Sequence, residues 1–544
     1  MNNMKRHISI FAGILLLMSA TSCDFLETKV ESNITTKNFF QSTSDFDMAL
    51  TGVYYTFGST EWSAQHRYGN YFLGFLYWGR IGTDEAWIAG GSNNGEDMLG
   101  NYTYTPENLF VEKVWFMQYL GIQRANIVID RLNAYTGSNV SDSDRSRILG
   151  EAYFLRAWFY FQLARYYGEV PLVLNETTDL SKLNTKKASL SEVYAQVISD
   201  YEKAESLLPE TNSVGHAYKL AATALKARAY LQMSGEPLKD PQAAAKDVEA
   251  CKTVINSGRF ALVNDYFSQF DGMHEHNSEY IFDVEFDNTV SNNRYGGQVG
   301  TNEGLPNTEK LYTTQVRTFP DMYDRWDDKD LRKGSINKEG YIVTQNGVGK
   351  IIYNDPVTGE VTYERSYFIY KFRHSLDKSV RGSNWVEWNN AINFPIIRYA
   401  DVLLMLPEAE YRATGTISAE AWEGLNQVRR RGYGKPVNTP DPTVDLVQGD
   451  LTYTNPYGDL APVLAQILDE RHWELAFEGH RWADLVRFGH LQQAFHDVLL
   501  HDEFWTQYYD PYRNNCKEKH SIFPIPQSVI DSSNGAIEQN PLWK

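Results

Sequence analysis

The residues best disposed to do chemistry are carboxylates in one stretch near the C-terminus. Residues 467–489 read ILDERHWELAFEGHRWADLVRFG, with Glu470, Glu474 and Glu478 at i,i+4 spacing. On one helix face such a row of like charges should be destabilising. Arg471 stands three residues before Glu474, Arg481 three after Glu478, and Arg487 three after Asp484. A metal ion or an acid/base pair could use the row. Glu–Arg pairs could equally hold the helix against its neighbours, and that reading is preferred because structural ion-pair networks commonly produce such clusters.

Other catalytic signals are weaker. A glycosidase needs two carboxylates at a set separation across a sugar. Asp84/Glu85, Glu96/Asp97 and Asp327/Asp328 are adjacent in sequence, which fixes no such distance, and with 69 acidic residues such pairs arise by chance. GGSNNG at 90–95 misses the nucleophile-elbow pattern, since Asn94 stands where the last glycine belongs. GVGK at 347–350 lacks P-loop spacing. His274–Glu275–His276 is not a zinc-binding H-E-x-x-H and reads as the end of a loop before a strand. The expectation is a protein that binds rather than catalyses, with no catalytic residue, metal or cofactor assigned.

The elements that must position a binding site come next. The chain has 544 residues, 42% hydrophobic and 14% aromatic, ample for a large core. Its net charge of -18 argues against nucleic acid, which requires a basic face. Residues 1–22 read as a signal peptide, with Lys5 and Arg6 before an apolar run at 8–18 that is too short to span a bilayer. Ser19, Ala20, Thr21 and Ser22 lead into Cys23, an ending similar to a lipobox whose cysteine is acylated, although Ala20 stands where leucine is usual. The alternative is a plain signal peptide cleaved near Ala20. Stable anchoring would need more than one acyl chain. Cys251 and Cys516 either pair or stand as separate thiols, because sequence gives no distance between them.

Helical spacing appears at 45–57, through Phe46, Leu50 and Val53, then at 112–132 and at 142–167, which Gly168 and Pro171 end. Ser189 and Glu192 have capping-box spacing before another helix. The stretch 218–233 places Ala222 and Ala229 for close approach, and Asp240–Pro241 opens a helix that Gly258 closes. Helix pairs at this spacing indicate a mainly α, tetratricopeptide-like superhelix. Residues 58–100 and 259–394 lose helical period, and the second contains strands expected at 280–286 and 367–372. A long irregular insertion on a helical body is usually functional.

Several segments together resemble the SusD/RagB family of nutrient-binding outer-membrane lipoproteins of Bacteroidetes. They are the Cys23 start, EAYFLRAWFYFQLARYYGEVPL, ALKARAYL, RYADVLLM followed by EAE, LNQVRRR, ILDERHWELAFEGHRWADLVRFG, and FPIPQSVI with NG and QNPLW. They run in the family's order across essentially the whole chain. Pro407 departs from the pattern and should kink its helix. The resemblance implies helix hairpins packed on irregular segments. It also implies an outward-facing surface lipoprotein, membrane-bound through Cys23, that partners a SusC-like TonB-dependent transporter and captures an oligosaccharide or polysaccharide for import. A peptide-binding RagB-like uptake protein is the alternative, and a glycoside hydrolase is less favoured. The expected organisation is signal 1–22, tether 23–45, helical part 46–258 with loop region 58–100, ligand-binding insertion 259–394, and helical part 395–544.

Sugars present flat C–H faces and a rim of hydroxyls, so a glycan site needs aromatic platforms with amides or charges beside them. In related proteins the platform comes from loops like 79–100 and from the central insertion. The candidates are Trp87, Asn93 and Asn94 from the first and Tyr295, Trp326, Trp385 and Trp388 from the second, with Arg80 and Asp84 as polar contacts. Each tryptophan has core packing as its alternative, and for Asp84 the structural role is preferred.

Overall fold

The computed structural model describes residues 39–58, 78–88, 95–179, 186–286, 316–338, 341–345, 348–352, 367–373, 391–450, 452–496 and 503–544. The signal, Cys23 and most of the tether lie outside them. Five helices in the first half follow the expected spacing. These are α1 (Thr43–Gly58), α2 (Leu109–Ala134), α3 (Asp142–Tyr167), α4 (Leu190–Leu207) and α5 (Lys219–Ser234). A sixth, α6 (Pro241–Asn256), has Asp240 as its N-cap and proline at its first turn. Ser189 and Glu192 form the capping box of α4, satisfying backbone donors at its start. Each of these helices packs on the next in sequence. Phe46, Leu50 and Val53 of α1 are all buried, as are Ala222 and Ala229 of α5.

The C-terminal half contributes α7 (Tyr399–Thr414), α8 (Ala419–Gly432), α9 (Pro462–Leu475) and α10 (Arg481–Phe488). Helix α7 packs on α6, so the helical stack continues across the insertion as though it were absent from the chain. Helix α7 runs unbroken as a single element through Pro407. The fold is mainly α and tetratricopeptide-like, with an insertion carrying short strands.

Those strands are few. Strand β1 (Ala86–Ile88) pairs antiparallel with β3 (Val316–Thr318), and β5 (Tyr367–Ile369) joins β3 to β4 (Ile336–Lys338). Separately, β2 (Tyr280–Val284) pairs antiparallel with β6 (Phe394–Arg398), which feeds directly into α7. Thus β1, from the first irregular region, is a strand of the insertion's own sheet. Cys251 and Cys516 are both free and buried, and the Cys251 thiol donates to Asp247 at 3.2 Å.

The stretch at 467–489 is not one helix. It breaks between α9 and α10, where Phe477 and Gly479 adopt φ of 65° and 80°. Trp473 and Phe477 therefore do not stack along a single helix face. The reason is tertiary: the backbone of Gly79 enters the break, and Trp482 N donates to Gly79 O at 3.1 Å. A Cβ on Gly79 would stand 1.9 Å from the carbonyl oxygen of Gly479. The carbonyls left free at the end of α9 are taken by side chains. Lys371 Nζ reaches Glu474 O at 3.1 Å and Ala476 O at 2.8 Å, and Arg398 Nη2 reaches Glu474 O at 2.9 Å.

Backbone cannot yield as a flexible side chain does, so Gly79→Ala should destabilise the protein by about 3 kcal/mol. Gly52→Ala, in open space within α1, should instead stabilise by up to about 1 kcal/mol. Denaturant midpoints measured on both variants check the contrast.

Candidate functional site

The glutamate row is the interior knot of the molecule. Glu470 accepts from Arg332 at 2.7 Å and from Arg429 at 3.0 Å. Glu474 accepts from Arg332 at 3.0 Å, Arg398 at 2.5 Å and Arg431 at 2.6 Å. Glu478 accepts from Lys371 at 2.6 Å and from Arg398 at 2.8 and 2.7 Å. Glu279, just before β2, joins the knot through Arg398 and Arg431. All of these carboxylates are essentially solvent-free. Burial alone would raise the Glu474 carboxyl, but Arg431, Arg398 and Arg332 outweigh it and hold the group down to about 2. Burial pulls the Lys371 ammonium down to about 8. A carboxylate whose oxygens are this fully occupied is a lock, as the Glu–Arg reading expected.

The arginines of the opening stretch act likewise. Arg471 bridges Asp401 at 2.8 Å and Asp484 at 3.0 Å. Arg487 pairs with Asp484 and Glu408. Arg481 clamps Asp84 through two bonds of 2.7 and 2.6 Å, linking α10 to the first irregular region. The insertion's cations Arg332 and Lys371 were not among the residues marked in the sequence. Their segments carried the only signal available, a charge-rich DRWDDKDLRKG and an aromatic strand.

Four of the candidate ligand contacts are interior residues, which corrects the expectation for Trp87, Trp326 and Arg80 and gives Asp84 the structural role preferred for it. Trp87 lies in β1, 5% exposed, with its indole Nε1 donating to Thr318 O at 3.2 Å and its ring 6.4 Å from Phe319. Trp326 is 2% exposed and packs on Trp473 at 5.0 Å. Arg80 is buried, with Nη1 directed at Phe477 O at 3.4 Å. Asp84 is consumed by Arg481. A ring covered on both faces offers no platform, and a carboxylate clamped by a guanidinium has little left for a hydroxyl. Asn93, Asn94, Tyr295, Trp385 and Trp388 lie outside the described residues.

Of the adjacent acid pairs, Glu85 receives Phe477 N at 3.1 Å and is pushed up to about 8 by burial. Asp327 accepts from the Tyr433 hydroxyl at 3.1 Å, and Asp328 pairs with Lys333 at 2.5 Å. The His274–Glu275–His276 run does precede a strand, β2. Among the described residues, His276, Asp283 and Glu285 offer ligand atoms within 4.8 Å of one another. Burial and the neighbouring Glu285 push the Asp283 carboxyl well above its usual range, and Asn393 Nδ2 donates to Glu285 at 2.9 Å. That corner is already hydrogen-bonded within the protein.

A helical superhelix joined through a buried ion network to a strand-and-loop insertion defines the class of this protein. The SusD family profile matches residues 258–543, and a second profile, described as starch-binding and associating with the outer membrane, matches residues 24–231. The chain belongs to the SusD family. SusD-like protein P2 of Formosa agariphila is 25% identical, the match covering 99% of this chain and 100% of that protein. A SusD homolog of Bacteroides thetaiotaomicron superposes with a TM-score of 0.76 at 25% identity, covering 93% of this chain and 98% of that one. Surface glycan-binding protein A of the same species, solved in complex with laminarihexaose, superposes with a TM-score of 0.68 at 21% identity, covering 91% and 99%.

Replacing Glu474 by Gln strands buried guanidinium groups and should cost about 3–5 kcal/mol at pH 7. The folded pKa of Glu474 is depressed to about 2 from an ordinary 4.5, so its contribution is complete above 4.5 and is lost as pH falls toward 2. The stability gap between wild type and Glu474→Gln should stay level from pH 7 to 5 and narrow below that. Urea denaturation across this range checks both the size and the sign.

Proposed function

We propose that this chain binds an oligosaccharide or polysaccharide at the cell surface, without cleaving it, and passes it to a SusC-like TonB-dependent transporter. The observation that carries this reading is end-to-end kinship with the SusD family, together with a shared fold with a protein solved holding laminarihexaose. Family association with the outer membrane supports anchoring through an acylated Cys23. The interior knot supports a binding role as well, since its carboxylates are spent on holding the insertion to the helices.

With Trp87, Trp326, Arg80 and Asp84 assigned to the interior, the platform falls to Trp385, Trp388 and Tyr295, with Asn93 and Asn94 as hydroxyl partners. Flat rings for sugar faces and amides for the rim are the chemistry such a ligand needs. Buried Trp87 then serves the site at one remove, by holding β1, the strand that precedes Asn93 and Asn94, to β3.

Calorimetry against plant, host and microbial glycans, with peptides included, tests the reading. A glycan should bind, and Trp385→Ala or Trp388→Ala should weaken it by roughly 2 kcal/mol or more with the melting temperature unchanged. Trp326→Ala should lower the melting temperature, by about 3–5 kcal/mol of stability. Binding of peptides alone would overturn the ligand class, and release of reducing ends from the bound glycan would overturn the absence of hydrolysis.

A further inference from the structure

A cavity of about 400 Å³ opens where the ends of α3, α5 and α10 meet the first turns of α4 and the segment around Lys517 and Ile522. Its walls mix apolar side chains, among them Leu190, Tyr194, Val486 and Ile522, with the polar Gln232, Gln492, Lys517 and Glu518. Arg165 of α3 also lines it and is only 7% exposed. Among the described residues, none hydrogen-bonds Arg165 Nε or Nη1. Its guanidinium has ring faces for company, Phe161 at 5.2 Å and Tyr166 at 5.7 Å. An interior charge without a counter-charge is costly, and rings return only part of that cost.

Six other buried arginines differ. Arg156, Arg332, Arg398, Arg431, Arg471 and Arg481 are each met by a carboxylate. Behind Arg165 a smaller cavity is lined by Arg228, Arg471 and Arg487 as well. The acids on that side, Asp401 and Asp484, are already engaged by those same arginines. On the rim, Glu236 faces Lys239 at 2.5 Å. Among the described residues, then, no carboxylate pairs with Arg165, although Glu518 lines the same cavity.

We propose that this cavity is a second ligand site, taking a small organic anion whose carboxylate pairs with Arg165 and whose ring or apolar body lies against Tyr194, Leu190 and Val486. The volume lies in the range of small-molecule pockets and is too small for a polymer. One guanidinium with planar donors matches one carboxylate, and the apolar side chains on the wall match a ring or apolar body. The proposal does not rest on the glycan reading.

The probes are galacturonate, phenylacetate and a dipeptide with a free C-terminus, with galactose, benzyl alcohol and the amidated dipeptide as their neutral counterparts. Titration calorimetry on the full chain should show binding of at least one carboxylate and none of its neutral counterpart. Which acid binds distinguishes a sugar acid, an aromatic acid and a peptide terminus as the source. Arg165→Met should weaken that binding at least tenfold, and Leu190→Trp, which narrows the cavity and keeps the charge, should also abolish it. If no carboxylate binds, or if binding survives in Arg165→Met, the site does not exist. Should Arg165→Met fail to fold, Leu190→Trp decides alone, and unchanged binding there overturns the proposal.

Discussion

The structure depends on three glutamates placed where water cannot reach them. Glu470, Glu474 and Glu478 cannot remain charged in a dry interior unless cations come to them. Those cations arrive from three separate parts of the chain: Arg332 and Lys371 from the insertion, Arg398 from the end of β6, and Arg429 and Arg431 from α8. Desolvation offsets much of what each pair gains, so the knot adds little net stability for its size. Its effect lies in selectivity among arrangements. Any packing that displaces the insertion from α9 leaves several buried charges unmatched at once.

The break between α9 and α10 follows from the same knot. A continuous helix would pair the carbonyls of Glu474 and Ala476 internally. Here Lys371 and Arg398 take them, so the chain is free to turn through Phe477 and Gly479. The turn leaves room for the Gly79 backbone, and Arg481, at the start of α10, then clamps Asp84. One set of charges thereby fixes the helices, the insertion and the first irregular region together.

Much of this was legible in the sequence, and the limits have physical causes. Helices α1 to α6 could be read because caps and period-3.6 apolar spacing are local signals, as with Ser189 and Glu192. The structural role of the glutamate row could be read from the arginines around it, although Arg471 and Arg481 themselves pair with Asp401, Asp484 and Asp84. Its actual partners could not, because Arg332 and Arg398 lie far away in sequence and only the fold brings them close. The break after Leu475 had one local sign, Gly479, which is costly inside a helix, but the Gly79 backbone that packs into it comes from the other end of the chain. Trp87 and Trp326 were read as ligand rings because irregular segments carry no period to show which side chains face inward. A tryptophan in a loop-rich stretch looks the same whether it packs on Phe319 or faces solvent.

Where the chain is pinned bears on the recognition proposed for Trp385 and Trp388. Trp385 and Trp388 fall between two anchored points. On the near side, Lys371 is buried on Glu478, and Arg373 N donates to Phe270 O at 2.9 Å. On the far side, Asn393 N donates to Glu275 at 2.8 Å, and its side chain accepts from Phe286 N at 2.8 Å. Closing a longer loop between fixed ends costs only slowly rising entropy, so such a segment tolerates changes of length and composition. The anchors tolerate far less, since each one satisfies a buried polar group. If the segment carries the proposed ligand rings, recognition can be altered there while Lys371 and Asn393 keep its ends in place.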